Sequence, residues 1–179
     1  MSNRKLRSEK KWDVNYKIAL DLFKLSENYK HDIYQLEEYA KIIRNPIVFD
    51  NQVKETLFLL NYNVPNPNNE KETYDHLMGM SNIVLYIIKN DLYKKWKSVD
   101  DFKDTLRALQ VTITCPTSIN NSNIFRKWVF SYESVEYSIN WADKLKSNGI
   151  DYLIDNNGKK VSVEKVWSEW FFNNKNFLI

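Results

Sequence analysis

Apolar residues recur every three or four positions through most of the chain, a period that is typical of amphipathic helices. Three such stripes in the first third predict three helices: Ile18, Leu22, Leu25 and Tyr29; Ile33, Leu36, Ala40 and Ile43; and Val53, Leu57 and Leu60. We expect the first helix to begin near Asp13, which can cap it. The second should end at Asn45, because helical geometry is disfavoured in the residue before Pro46.

The pattern changes twice in the middle of the chain. Residues 61–70 alternate prolines with asparagines and predict a surface loop. Helical stripes resume after Ser81 and again after Ser98, which opens a capping box with Asp101. The segment Val111–Thr114 is β-branched throughout and predicts a short strand that ends near Pro116.

The C-terminal third predicts two further helices and a hairpin. A helix over residues 134–146 should stop at Gly149, which favours a left-handed cap. Asn157-Gly158 forms the tip of a predicted hairpin, and an aromatic helix closes the chain. The expected fold is therefore α+β: a predominantly helical single domain over residues 13–179 with a small antiparallel sheet or hairpins. Residues 1–12 should form a basic arm.

Composition excludes several classes of protein. A chain of 179 residues with 43% hydrophobic residues can form a packed core, and it is neither disordered nor fibrous. Its longest apolar run, Ile83–Ile88, is far shorter than the ~20 residues that cross a bilayer. A single cysteine, Cys115, excludes an internal disulfide and a zinc finger, and it is expected to be a buried thiol. These features indicate a cytoplasmic protein without membrane contact.

The distribution of charge matters more than its sum. The chain has 26 Lys and Arg against 23 Asp and Glu, and a net charge of +3 does not require a polyanionic partner. Five cations cluster in the first eleven residues: Arg4, Lys5, Arg7, Lys10 and Lys11. This arm could lie along DNA phosphates or could be a solvated tail. Lys95 and Trp96 form a second candidate contact, in which Trp96 either stacks on a base or belongs to the core.

Asp75-His76 is the candidate catalytic dipeptide. Neutral imidazole can take a proton from water, and a neighbouring carboxylate can hold a divalent cation, which together suit phosphodiester hydrolysis. A structural explanation, with Asp75 at a helix N-terminus and His76 hydrogen-bonded beside it, stays open.

The order of motifs around this dipeptide resembles that of HNH-type, His-Me finger endonucleases. The motifs are Asp75-His76, the strand Val111–Thr114, and the asparagines Asn120, Asn121 and Asn123 before Ile124-Phe125. Small proteins of phages and large DNA viruses share this order and a segment similar to Gly149–Lys159. The resemblance covers residues 72–160.

The resemblance implies a metal-dependent DNA endonuclease, which in a virus or phage would act in the host cytoplasm. His76 would be the general base, and Asp75 and Asn121 would hold magnesium or another divalent cation. The final histidine of that family has no counterpart here, so an amide oxygen would take its place. A carboxylate-only nuclease site is less well placed, because its candidates lie on predicted loops.

Two hypotheses therefore stand beside each other. The first is the DNA endonuclease. The second is a non-catalytic helical module of a phage or virus that binds a host protein or nucleic acid through basic and aromatic faces.

Overall fold

The computed structural model describes residues 3–48, 58–121 and 140–178. Within these ranges the chain forms seven α-helices: α1 (Asn3–Leu25), α2 (Ile33–Val48), α3 (Met80–Lys89), α4 (Val99–Leu109), α5 (Thr117–Asn121), α6 (Trp141–Ser147) and α7 (Val163–Leu178). Its strands there are β1 (Phe58–Asn63), β2 (Glu72–His76), β3 (Val111–Pro116), β4 (Tyr152–Asp155) and β5 (Lys160–Ser162). The predicted class, α+β and mostly helical, is confirmed.

The chain forms two compact units, each built from separate stretches of sequence. Unit 1 comprises Met1–Leu57, Met80–Leu109 and Phe177–Ile179, and unit 2 comprises Phe58–Gly79 and Gln110–Asn176. Among the described residues, unit 1 is helical and unit 2 carries the sheet.

Helix α1 begins ten residues before the predicted cap and buries a different face. Residues 3–12, predicted to be an arm, belong to this helix, and Trp12 is buried. Ile18 and Leu25 of the predicted stripe are 45% and 51% exposed, whereas Ala19 and Phe23 are buried. The predicted stripe is wrong because Trp12, with the largest apolar surface in α1, sets the buried face.

Helix α2 buries the predicted residues Leu36, Ala40 and Ile43, all at 0% exposure. It does not end at Asn45 but continues through Pro46 to Val48. A proline in the last turn removes one backbone donor and leaves the preceding helix intact, so the predicted stop is wrong.

The two remaining helices of unit 1 form as predicted. Every residue from Ile83 to Ile88 in α3 is buried, as expected for a helix that is apolar all round. At the start of α4, the Ser98 hydroxyl accepts a hydrogen bond from the Asp101 backbone N–H (3.2 Å), and the Asp101 carboxylate accepts one from the Ser98 N–H (2.9 Å). The capping box is confirmed.

The sheet of unit 2 has the strand order β2-β3-β1-β4-β5. Three pairings are antiparallel, and the β1–β3 pairing is parallel, which the sequence pattern did not predict. The interior strand β3 buries Val111, Ile113 and Cys115 on one face at 0% exposure, so the predicted buried thiol is confirmed.

The start of the sheet differs from the sequence prediction. Leu60, predicted to lie in a helix, is a buried residue of β1. The predicted loop over residues 61–70 is shorter, because β1 continues to Asn63 and the N–H of Val64 donates to the Thr114 carbonyl (2.9 Å). The other positions of the predicted third helix, Val53 and Leu57, lie outside the described residues.

The C-terminal hairpin and helices follow the sequence pattern. Strands β4 and β5 pair across a turn in which Gly158 has φ +78°, and Gly149 has the same angle after α6. Both glycines occupy the left-handed region that their turns require. Trp141 of α6 packs edge-on against Trp170 of α7, with ring centroids 5.9 Å apart. The helix predicted over residues 134–146 begins later, at Trp141, because Asn140 is non-helical and its side chain caps α6 by accepting from the Ala142 N–H.

Candidate functional site

The Asp75-His76 dipeptide lies at the end of strand β2. It lies neither in a loop nor at the start of a helix. In the β2–β3 ladder Asp75 is paired with Ile113 and His76 with Thr112. His76 is partly exposed, and Thr112 opposite it is 3% exposed. Strand β2 lies at one end of the strand order, so the histidine occupies the edge of the sheet.

The neighbours of His76 on its own face follow from the period of the strand. Residues two apart share a face, so His76 lies on the side of Tyr74, which is 66% exposed. The residues opposite these two on β3 are Thr112 and Thr114. The surroundings of the imidazole on this ladder are hydroxyls and an aromatic ring.

Asn121 lies near the opposite end of the ladder. Its helix, α5, begins where the N–H of Thr117 donates to the Lys71 carbonyl (2.9 Å). Lys71 precedes His76 by five residues, which corresponds to about 17 Å along an antiparallel strand. The side chains of Asp75 and Asn121 are not among those that the structure describes, and Asn123 lies outside the described residues, so the predicted constellation with His76 stays a prediction.

A magnesium site needs several oxygen ligands around one point. Among the side chains that the structure describes, no group of three His, Cys, Asp or Glu residues could hold a metal ion. The carboxylate nearest to α5, Glu70, accepts hydrogen bonds from Ser118, which hold its pKa below the ordinary value. The two predicted metal ligands, Asp75 and Asn121, are not among these side chains, so the predicted metal site beside His76 stays a prediction.

The predicted basic arm is the first part of α1. Arg4, Lys5 and Arg7 lie in this helix, and Lys10 and Lys11 are exposed on it. A helix holds these charges in a defined spacing, which a flexible tail would not do.

The second predicted DNA contact consists of Lys95 and Trp96, and the structure exposes the first residue and buries the second. Lys95 is exposed at the end of a 3₁₀ turn, Leu92–Lys95, whereas Trp96 is 6% exposed. The Trp96 indole N–H donates to the Thr105 hydroxyl (2.9 Å), and its ring packs edge-on against Phe102 at a centroid distance of 4.9 Å. Trp96 is therefore a core residue in this structure, and its predicted base-stacking role is corrected.

The tryptophans next to the two basic clusters contact the same aromatic side chain, Phe102. Trp12, next to Lys10 and Lys11, contacts Phe102 at a centroid distance of 6.2 Å. Trp96, next to Lys95, contacts the same ring. Residues from α1 and from the segment before α4 are thus gathered on one part of unit 1.

A charged cluster around Glu27 was not predicted from the sequence. The Glu27 carboxylate accepts hydrogen bonds from the Tyr93 hydroxyl and from Lys94 and Lys30, the two lysines at 2.8 and 3.2 Å. The same lysines contact Asp91 at 2.6 Å (Lys30) and 3.2 Å (Lys94). Hydrogen bonds from Lys94 and Tyr93 lower the pKa of Glu27 to about 2. The pKa of Tyr93 is raised by burial and by its bond to Glu27.

This cluster borders a cavity of about 330 Å³ lined by Leu20, Lys24, Glu27, Tyr93, Lys94 and Trp96. The negative charges of Glu27 and Asp91 are balanced by the positive charges of Lys30 and Lys94, and the charge of Lys24 in the cavity wall is not part of this balance. We therefore assign the cluster a structural role in unit 1. The pairs Glu27–Lys30 and Asp91–Lys94 are local, but the contacts that join them into one cluster link residues more than 60 apart in sequence, so no local motif signals it.

Comparison with known families, curated proteins and solved structures gives no match. No helix among the described residues has the length and apolarity to span a membrane.

Proposed function

We propose that the chain is a non-catalytic module that binds the phosphate backbone of DNA through unit 1. The observation that carries this proposal is the segregation of charge between the units. The described residues of unit 1 contain sixteen Lys and Arg against eleven Asp and Glu, whereas those of unit 2 contain seven against eight. A local cationic excess attracts phosphates although the charge of the whole chain is only +3.

The positions of the lysines support this proposal. Lys10, Lys11, Lys95 and Lys97 are exposed, and they flank Trp12 and Trp96, which both contact Phe102. Because both tryptophans pack on the Phe102 ring, the backbone segments that carry these lysines lie in the same part of unit 1. Contacts to phosphate carry no sequence information, so we expect binding that tolerates many DNA sequences. The proposal places the protein in the cytoplasm, where a phage or viral module would meet DNA.

The test is the salt dependence of binding to a labelled duplex, followed by fluorescence anisotropy over a series of KCl concentrations. Each lost phosphate contact reduces the slope of log K against log salt by about 0.9. The variant Lys10→Gln/Lys95→Gln removes one cation from each cluster, and we expect its slope to fall by about 1.8.

The matched control is Lys165→Gln/Lys175→Gln on α7, which removes the same charge from exposed positions of unit 2. Its slope should equal that of the wild type. Equal losses in the two double variants would show that only overall charge matters. A wild-type chain that does not bind DNA at low salt would favour the alternative partner, a host protein.

A DNA endonuclease remains the second candidate, and the observation that favours it is the place of His76. This imidazole is partly exposed at the edge of a sheet, next in sequence to Asp75, and a neutral imidazole there can take a proton from water. This candidate ranks second because its metal site depends on Asp75 and Asn121, whose side chains are not among those that the structure describes.

A further inference from the structure

The cavity of unit 1 lies between the end of α1 and the 3₁₀ turn Leu92–Lys95. Leu20 and Lys24 are four residues apart on α1, so their side chains share one face of the helix, one turn apart. Tyr93 and Trp96 are 2% and 6% exposed and form the buried part of the lining. A volume of about 330 Å³ is at the lower end of the range for ligand sites, ~300–1,000 Å³, so the cavity has room for one small molecule.

Most polar side-chain groups of the lining already have partners inside unit 1. The Tyr93 hydroxyl donates to Glu27, and the Trp96 indole N–H donates to the Thr105 hydroxyl. Lys94 forms ion pairs with the two carboxylates of the charged cluster. Because their polar atoms are engaged, Tyr93 and Trp96 can offer a ligand only the carbon surface of their rings.

Lys24 is the exception among the polar groups of the lining. It is exposed and makes no hydrogen bond or ion pair with any residue that the structure describes, although it lies only three residues before Glu27. The charged cluster beside it contains two carboxylates and two lysines, so the charges of the cluster sum to zero. Lys24 therefore gives the cavity one uncompensated positive charge. A ligand carboxylate at Lys24 would gain a charge-assisted hydrogen bond without breaking one that the fold already makes.

We infer that this cavity binds a small aromatic carboxylate, with its carboxylate on the Lys24 ammonium and its ring against Leu20 and Trp96. One anionic group matches the one uncompensated charge. Further polar groups on the ligand would lose their hydration against carbon atoms without finding a partner. An aromatic body suits this lining because rings that meet edge-on or in offset stacks attract each other beyond the area that they bury.

This inference does not rest on the proposed DNA contact, which involves other lysines of unit 1, namely Lys10, Lys11, Lys95 and Lys97. A cavity of this volume takes a free acid and not a duplex. Binding of the acid therefore needs no nucleic acid, and either proposal can fail without the other.

The experiment is a titration of the isotope-labelled full chain, followed by two-dimensional amide NMR, with benzoate, phenylacetate and indoleacetate as probes. We expect saturable binding of phenylacetate with a Kd of about 1 mM, which is ordinary for so small a ligand. Acetate has the anionic group without a ring, and phenylacetamide has the ring without the charge. Each lacks one of the two contacts, so each should bind about tenfold more weakly than phenylacetate.

Two variants separate the charged contact from the apolar one. Lys24→Gln should raise the Kd of phenylacetate about tenfold and leave the binding of phenylacetamide unchanged. Leu20→Ala should raise the Kd of phenylacetate about fivefold and weaken phenylacetamide as well. The matched control is Lys17→Gln, the same change at an exposed lysine of α1 that does not line the cavity, and it should bind phenylacetate as the wild type does.

Circular dichroism checks that each variant is folded. The inference is overturned if none of the three acids shifts amide signals in a saturable way, or if Lys17→Gln weakens binding as much as Lys24→Gln does. Acetate that binds as tightly as phenylacetate would overturn it too, because Lys24 would then be an ordinary solvated cation near the C-terminus of α1.

Discussion

Replacing Trp96 by a smaller residue tests whether its side chain stabilises the core or contacts DNA. The side chain is 6% exposed, and its ring contacts both Phe102 and Phe23, the latter at a centroid distance of 5.4 Å. Its indole N–H donates to the Thr105 hydroxyl. If Trp96 is a core residue, its removal must lower the free energy of unfolding; if it were a stacking platform, the loss would be in DNA affinity.

The size of the effect follows from these contacts. Truncating a buried aromatic side chain to alanine costs about 3–5 kcal/mol, so we expect Trp96→Ala to lower the free energy of unfolding by about 4 kcal/mol. Trp96→Phe keeps a ring but loses the indole hydrogen bond, and we expect a loss of about 2 kcal/mol. The Thr105 hydroxyl still donates to the Asp101 carbonyl (2.9 Å), so it is not left without a partner.

The assay is urea denaturation followed by circular dichroism, with thermal melting as a second measurement. A loss of about 4 kcal/mol in a chain of this length corresponds to a fall in Tm of about 12 °C. The matched control is Tyr34→Ala on α2, because Tyr34 is a large aromatic of the same unit with 80% exposure. Its effect should stay within about 0.5 kcal/mol.

Two results would contradict the core role of Trp96. One is a Trp96→Ala variant as stable as Tyr34→Ala, because a buried aromatic hub cannot be removed without cost. The other is a Trp96→Phe variant that keeps its stability but loses DNA affinity. That second outcome would show that Trp96 is a surface residue that stacks on bases.

Two further predictions concern Glu27 and His76. The pKa of Glu27 is lowered from 4.5 to about 2 in the folded protein, so its carboxylate stabilises the fold above pH 4.5 and this contribution is lost as the pH falls towards 2. Glu27→Gln should therefore destabilise the protein at neutral pH, and its difference from wild type in urea denaturation should shrink across that window; a difference that does not change with pH would contradict the assignment. For the endonuclease candidate, wild-type protein should nick plasmid DNA in the presence of magnesium or manganese, and His76→Ala should abolish nicking while His31→Ala retains it. If the wild type leaves plasmid intact with either metal, that candidate is wrong.

Local signals in the sequence predicted the elements that depend on neighbouring residues. The capping box of Ser98 and Asp101, the strand at Val111–Thr114, and the glycines at 149 and 158 need only residues within a few positions of each other. Caps and turns are made by neighbouring residues, so short-range rules describe them well, whereas the β-branched run gives a strand preference that becomes a ladder only with β1 and β2.

Short-range rules did not predict the features that depend on distant parts of the sequence. The stripe of Ile18 and Leu25 has the correct helical period, yet the helix buries the face of Trp12 and Phe23 because Phe102 and Trp96 lie against it. In the same way, the apolar period at Leu60 fits a helix, but pairing with β3 and β4 makes this segment a strand. In both cases the partners come from distant parts of the sequence.

The candidate functional residues also divide into those that local sequence predicts and those that depend on tertiary packing. The α+β class, the basic cluster at the start of the chain and the adjacency of Asp75 and His76 could all be read from the sequence. Packing was needed to establish that Trp96 is a core residue and that Glu27 is held by Lys30 and Lys94. Charge and period are properties of the local chain, whereas burial and convergence depend on which distant segments pack together.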